Sequence, residues 1–361
     1  MGPDSRTNPR SAYAAYASAV RPRVESAVAE SLGAGLARER SLGTDVAAVA
    51  DALHSLGTRG GKRMRAVLVA LGYDGVGGER GLDAVLGAAL AMELVQVYLL
   101  AHDDWMDGDL VRRGGPSVHK MLQDAFGSAT LGDVTGILAG DFASALAQEA
   151  FFTVDVPAEH KLRAARRFAH MQHEVVLGQI MDVCADRRPL EALVLADVEA
   201  MHAKKTGAYT VGGPLAVGAL LGGADDARER AIDAFATPLG VAFQLRDDVL
   251  GTFGDTATTG KPRFGDLRQG KRTSLVAAFV SARGAKGVEA LRPVLGNASA
   301  SDAACEALAS EMHESGARAR IEARVSELLS EARARLDALS FTPSAALVLE
   351  GAIDALGERS S

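Results

Sequence analysis

The chain has 361 residues, a formal net charge of −7, 5% aromatic residues and two cysteines, long enough to bury a sizeable core in one large domain or two. Its acidic balance leaves no basic footprint for nucleic acid or an anionic membrane. Cys184 and Cys305, far apart and without metal or CxxC spacing, read as reduced core residues; with no run of 18 apolar residues and no apolar leader, a soluble cytoplasmic protein without stable membrane insertion is expected.

Alanine, leucine, glutamate and arginine dominate, and alternating strand patterns are hard to find, which predicts an all-α fold. Residues 1–12 are expected to be a disordered tail, followed by one helical domain over 13–356. Helical spacing of apolar residues runs from about Ala14 to Ser31 and from Thr44 to Leu56. The run RGGKRMR follows, containing Gly60, Gly61, Lys62 and Arg65. Gly-Gly permits close backbone approach, and Lys62 and Arg65 lie about one turn apart at the start of an apolar helix. Such a turn suits a diphosphate, and by itself suits a solvated basic turn equally well.

A long helical pattern from about Leu82 to Asp107 ends in HDDWMDGDLVRRGGP. Asp103 and Asp107 share a helical face, with Asp104 roughly 100° round. Like charges at this spacing repel, so a cation such as Mg²⁺, bound by hard oxygen ligands and completed by substrate phosphates, fits the cluster. Arg112 and Arg113 are suited to holding those phosphates. Further helices are expected over Thr130 to Phe152 and over His160 to Cys184, the second carrying Gln179 and Asp182. Lys204, Lys205 and Thr206 lie in another, over Asp197 to Thr210, and Val211 to Leu221 reads as a buried apolar helix. A second acidic element, FQLRDDVLGTFGD, closes an apolar helix over Ala231 to Leu250 and brings Gln244, Asp247, Asp248 and Asp255. The loop after it carries Lys261, Asp266 and Lys271. Ser274 to Leu356 is helical and shows no chemical constellation.

Two acidic helix ends, two basic turns and a Lys-rich loop need one explanation. Acidic helices facing each other in a bundle can hold Mg²⁺, and the surplus of cations implies more than one phosphorylated substrate. The ordered set GGKRMR, HDDWMDGDLVRRGGP, LGQIMD, KKTGAY and FQLRDDVLGTFGD, over roughly residues 57 to 275, resembles the trans-isoprenyl diphosphate synthases, the farnesyl and geranylgeranyl diphosphate synthase family.

The resemblance implies an all-helical bundle around a large central cavity, usually a homodimer, with three Mg²⁺ ions. By it, Asp103, Asp107 and Asp247 are metal ligands, with Asp104 and Asp248 supporting. Arg112, Lys205 and Lys261 hold the allylic diphosphate, and Lys62, Arg65, Gln96 and Arg113 hold isopentenyl diphosphate. Gln179, Thr206 and Gln244 line the site near the reacting carbons, and Lys271 belongs to the closing loop. The implied reaction condenses isopentenyl diphosphate with dimethylallyl, geranyl or farnesyl diphosphate. One departure stands out: position 251, where the family commonly has the third Asp of a second DDxxD, is glycine. Asp255 is a candidate replacement.

Tail length in this family is limited by residues four and five places before the first Asp, here Leu99 and Tyr98, roughly 6 and 7.5 Å along the helix from Asp103. One aromatic at the fifth place resembles the geranylgeranyl pattern and predicts a twenty-carbon product. A farnesyl diphosphate synthase and a non-catalytic regulatory subunit stay open. A class I terpene cyclase leaves GGKRMR and RRGGP unexplained, and an HD-type phosphohydrolase leaves Asp104, Asp107 and the second acidic pair without a role.

Overall fold

The computed structural model describes residues 8–254 and 263–357. The expected all-α architecture is found: α1 (Pro9–Leu32), α2 (Ala37–Arg40), α3 (Thr44–Thr58), α4 (Met64–Gly75), α5 (Leu82–Asp107), α6 (Val118–Phe126), α7 (Ala129–Phe152), α8 (Ala158–Val183), α9 (Leu195–His202), α10 (Gly213–Leu221), α11 (Asp226–Phe253), α12 (Gly265–Gln269), α13 (Ser274–Arg283), α14 (Ala285–Leu291), α15 (Asp302–Glu314), α16 (Ala317–Ala334) and α17 (Pro343–Gly357). Among the described residues the β-structure is a two-residue antiparallel pair, Val111–Arg112 with Gly115–Pro116. The chain divides into two compact units.

The first unit comprises Ala12–Ala165 with Pro214–Ala224. Its central element is α5, which packs against α4 and α7 and is buried at Ala84, Val85, Ala88, Ala91, Met92, Leu94, Val95 and Val97. This helix is long and apolar enough to cross a membrane, a test the sequence was not expected to meet anywhere. Yet 61% of its most apolar window is buried inside the fold, so its apolar character serves the core. The Gly-rich α10 is buried as expected. A Cβ at Gly218 would stand 1.9 Å from the Val69 carbonyl oxygen, and one at Gly72 would stand 2.1 Å from that of Leu215. Only residues without a side chain let α4 and α10 cross this closely.

The second unit comprises Met1–Ser11, Arg166–Gly213 and Asp225–Ser361. Here α11 is central and packs on α16 and on a π-helical segment, Ala203–Gly212. A Cβ at Gly240 would stand 2.2 Å from Gly207 Cα, so this crossing too is glycine-dependent.

Two expectations are corrected. The first helix begins at Pro9, inside the stretch read as a tail. Pro is preorganised for a first helical position, the Arg10 amide donates to Asn8 Oδ1 at 2.9 Å, and Arg10 pairs with Asp354 of α17 at 3.5 Å. Cys184, read as a core residue, is exposed, because it lies just beyond the end of α8. Cys305 is buried as expected.

Candidate active site

In the first unit, α5 carries its apolar face up to Ala101 and then presents Asp103, Asp104 and Asp107 before Gly108 (φ 68°) ends the helix. Carboxylates at a helix C-terminus oppose the helix dipole and one another, so they need cations. Arg112, turned back by the tight β pair, supplies one. Its Nε donates to Asp104 Oδ1 at 2.6 Å and its Nη2 to Asp109 Oδ2 at 3.2 Å, while Nη2 lies 3.9 Å from Asp103 Oδ2. The two members of the Asp pair differ. Asp104 is fully buried, and burial pushes its carboxyl up to about 6 against the opposing pull of Arg112. Its Oδ2 has no hydrogen-bond partner among the described residues. Asp103 and Asp107 are half-buried and keep a face to solvent.

The GGKRMR run forms the turn before α4. Gly60 and Gly61 have positive φ, and so does Arg63 (φ 47°). Arg63 is buried, where it pairs with Glu93 of α5 at 2.9 Å and donates to the Gly57 carbonyl at 2.7 Å. The strained turn is thereby anchored from beneath, leaving Lys62 exposed and Arg65 half-buried. Arg113 Nη1 donates to the Gly60 carbonyl at 3.1 Å, which joins this turn to RRGGP. Arg59 clamps the same junction by donating to the carbonyls of Arg112 at 3.0 Å and Pro116 at 2.6 Å. Lys62, Arg65, Arg112 and Arg113 are therefore gathered within one unit. Gln96 is half-buried on α5, about two turns before Asp103.

Tyr98 and Leu99 are half-buried on the same helix. The Tyr98 ring stands edge-on to His102, centroids 5.0 Å apart, and His102 Nε2 donates to the Ile137 carbonyl at 2.8 Å. A Cβ at Gly140 would stand 2.3 Å from the His102 ring, so α7 approaches closely there and fixes the imidazole that supports Tyr98.

In the second unit, Asp247 is half-buried and Asp248 is buried within α11. Asp248 Oδ2 accepts from the Ser274 amide at 2.9 Å and hydroxyl at 2.7 Å, and lies 3.2 Å from His202 Nε2. Burial pushes its carboxyl up, but His202 and the Ser274 donors more than offset this and hold it below the usual range. Asp248 thus ties α9, α11 and the start of α13 together. Thr206 Oγ1 donates to Gln244 Oε1 at 3.0 Å, and Gln244 Nε2 reaches Asp248 Oδ1 at 3.4 Å.

Lys204, Lys205 and Thr206 lie in the π-helical segment, not in the continuous helix expected from about Asp197 to Thr210. Lys205 Nζ pairs with Asp182 of α8, and Lys204 Nζ with Glu174 at 2.7 Å. A Cβ at Gly178 would stand 2.4 Å from the Lys205 amide nitrogen, so the glycine of LGQIMD lets α8 reach this segment. Gln179 is half-buried one residue on.

Lys261 and Asp255 lie outside the described residues. Lys271 is half-buried, its Nζ 3.9 Å from Asp266 Oδ1. Asp266 fills the place beside Gly251: a Cβ at 251 would stand 2.5 Å from Asp266 Oδ2. The space that a side chain at 251 would enter is therefore taken by the Asp266 carboxylate of α12. Sequence reasoning noted Asp266 without giving it this place, and passed over Arg59, Glu93, His202 and Ser274. No local pattern marks any of these, since each acts through a contact distant in sequence.

The chain matches the polyprenyl synthetase family over residues 46–312. It is 34% identical over 260 residues to a geranylgeranyl diphosphate synthase of Sulfolobus acidocaldarius, covering 71% of this chain and 74% of that one. It is 35% identical over 273 residues to a farnesyl diphosphate synthase of Geobacillus stearothermophilus, covering 70% and 85%. The crystal structure of a geranylgeranyl pyrophosphate synthase from Corynebacterium glutamicum, complexed with isoprenyl diphosphate and magnesium, superposes with a TM-score of 0.86 at 29% identity over 96% of this chain and 99% of that one. With the acidic clusters, their cations and this extent of match together, the chain belongs to the polyprenyl synthetase family.

Proposed function

We propose that the chain is a Mg²⁺-dependent prenyltransferase that condenses isopentenyl diphosphate head-to-tail with allylic diphosphates and delivers geranylgeranyl diphosphate. The observation that carries this reading is the end of α5, where the partly accessible Asp103 lies 3.9 Å from the Arg112 guanidinium that the buried Asp104 holds by a hydrogen bond. Hard, partly exposed carboxylate oxygens at Asp103, Asp107 and Asp247 fit Mg²⁺, three ions by the resemblance. When bound, the metal neutralises charge that develops on a departing diphosphate.

The chain's own residues do the rest. Arg112, Lys205 and Lys261 hold the allylic diphosphate, which leaves with the electron pair of the broken C–O bond. Lys62, Arg65, Gln96 and Arg113 hold isopentenyl diphosphate so that its double bond attacks the allylic carbon; the proton then lost passes to the released diphosphate. Thr206, Gln244 and Gln179 face the reacting carbons, and Asp266 supplements Asp247 in place of the absent side chain at 251. Lys271 belongs to a loop that excludes water. Tyr98, braced by His102, and Leu99 set the floor for the growing tail.

We also infer a cytoplasmic homodimer. Leu131, Val134 and Leu138 are each about half-exposed on one face of α7, a stripe that a second copy would cover, and both cysteines are free.

The test is incubation with Mg²⁺, isopentenyl diphosphate and dimethylallyl, geranyl or farnesyl diphosphate in turn, with the dephosphorylated products identified by mass. A twenty-carbon alcohol is expected. Products ending at fifteen carbons overturn the chain length alone, and failure to elongate any starter overturns the reaction.

A further inference from the structure

Another group of ligands lies on α8, made of residues given no role above. His170, His173 and Glu174 occupy i, i+3 and i+4, which is one face of a helix. One potential ligand atom from each lies within 4.8 Å of the other two. The two imidazole rings stand 5.9 Å apart between centroids at 71°, both exposed, with Glu174 half-buried beneath them. Glu174 is already engaged as an acceptor, by Lys204 Nζ at 2.7 Å.

Two imidazoles and one carboxylate are the donor set of a borderline divalent cation such as Zn²⁺, with a fourth position left for water. Mg²⁺ prefers an all-oxygen octahedral shell and is a poor match. We propose that His170, His173 and Glu174 form a second metal site that takes a zinc-like divalent cation, and that this cation competes with Lys204 for Glu174. Binding requires the three ligand atoms, now within 4.8 Å of one another, to close to roughly 3.3 Å, the separation that metal–ligand distances of about 2.0 Å set at a tetrahedral ion. Lys204 adjoins Lys205 and Thr206 in the π-helical segment. A cation that displaces Lys204 from Glu174 therefore perturbs two residues given substrate roles above. This second consequence, zinc-dependent slowing of prenyl transfer, rests on the proposed function; the binding itself does not.

The full-length, tag-free chain is titrated with Zn²⁺ by calorimetry in millimolar Mg²⁺, which keeps the acidic motifs occupied. One equivalent is expected. His170→Ala and His173→Ala each weaken binding about tenfold or more, and Glu174→Gln does so to a similar degree. Lys204→Met removes the competitor and tightens binding several-fold. The two histidines are exposed and Glu174 and Lys204 half-buried, and circular dichroism verifies that the variants fold. Equal Zn²⁺ affinity in wild type and both histidine variants overturns the site, as does displacement of the zinc by Mg²⁺. Looser binding in Lys204→Met overturns the competition. A chain that binds Zn²⁺ in this pattern but transfers no prenyl group keeps the site and removes the proposed function.

Discussion

Asp103-Asp104 and Asp247-Asp248 are the same dipeptide near the C-terminal part of two long helices, and their surroundings differ. In each pair the first member stays partly accessible and the second is buried. The buried Asp104 leans on Arg112, has one oxygen without a hydrogen-bond partner among the described residues, and is raised by burial to about 6. The buried Asp248 is surrounded by an amide, a hydroxyl and an imidazole and is held ionised. One anchor orients a cation expected to bind phosphate, whereas the other fastens three helical segments. Damage to the first should register in catalysis, and damage to the second in stability.

The largest effect is expected from the accessible members. Asp103→Ala and Asp247→Ala should each lower kcat by about 10³-fold, equivalent to roughly 4 kcal/mol of lost charge stabilisation. Their unfolding curves should stay close to wild type. Steady-state rates at saturating Mg²⁺ check this, and a fall below tenfold in either variant would break the parallel between the pairs.

Next comes the contrast between the anchors. Asp248→Ala orphans the Ser274 donors and the His202 ring, so urea unfolding should show a loss of about 3 kcal/mol. Asp104→Asn keeps the shape and leaves Arg112 beside Asp109 and Asp103, so it should cost less than Asp248→Ala. Its signature should instead be a loss of about tenfold or more in kcat/KM for the allylic substrate, through a displaced Arg112. If Asp104→Asn proves the less stable of the two, the assignment of roles is reversed.

A smaller effect tests the replacement of the missing carboxylate. Gly251→Asp restores the family pattern in sequence but drives a side chain into Asp266. It should destabilise the chain by about 1–2 kcal/mol and raise the Mg²⁺ concentration needed for half-maximal rate. A gain in Mg²⁺ affinity without loss of stability would show that Asp266 does not fill the place. The smallest change in rate, with a change in product, is expected at the floor. Tyr98→Ala should extend the product beyond twenty carbons and Leu99→Phe should shorten it, both read by mass.

Much of this was legible in the sequence because it depends on neighbours along the chain. The bounds expected for α5, Leu82 to Asp107, are those observed, since a long apolar period closed by glycine is a local signal. The two basic turns were recognisable from their glycines. The start of α1 was missed although Asn8 and Pro9 are a helix-start pair, because the chain end was read as a tail from its polarity. The π-helical turn around Lys205 was not legible. It depends on α11 and α8 meeting that segment at Gly207 and Gly178, contacts with no local sequence mark.

Composition, period and motif order by themselves determined an all-helical chain of this family, with acidic helix ends and basic turns, because these follow from residue type and spacing. The tertiary structure decided which aspartate of each pair faces inward and what satisfies it. It also decided that Arg63 turns inward to Glu93 while Lys62 is exposed and Arg65 half-buried, and that Asp266 stands beside Gly251. Adjacent helical residues differ by only about 100° in direction, so the sequence lists the candidates and the packing of distant segments chooses among them.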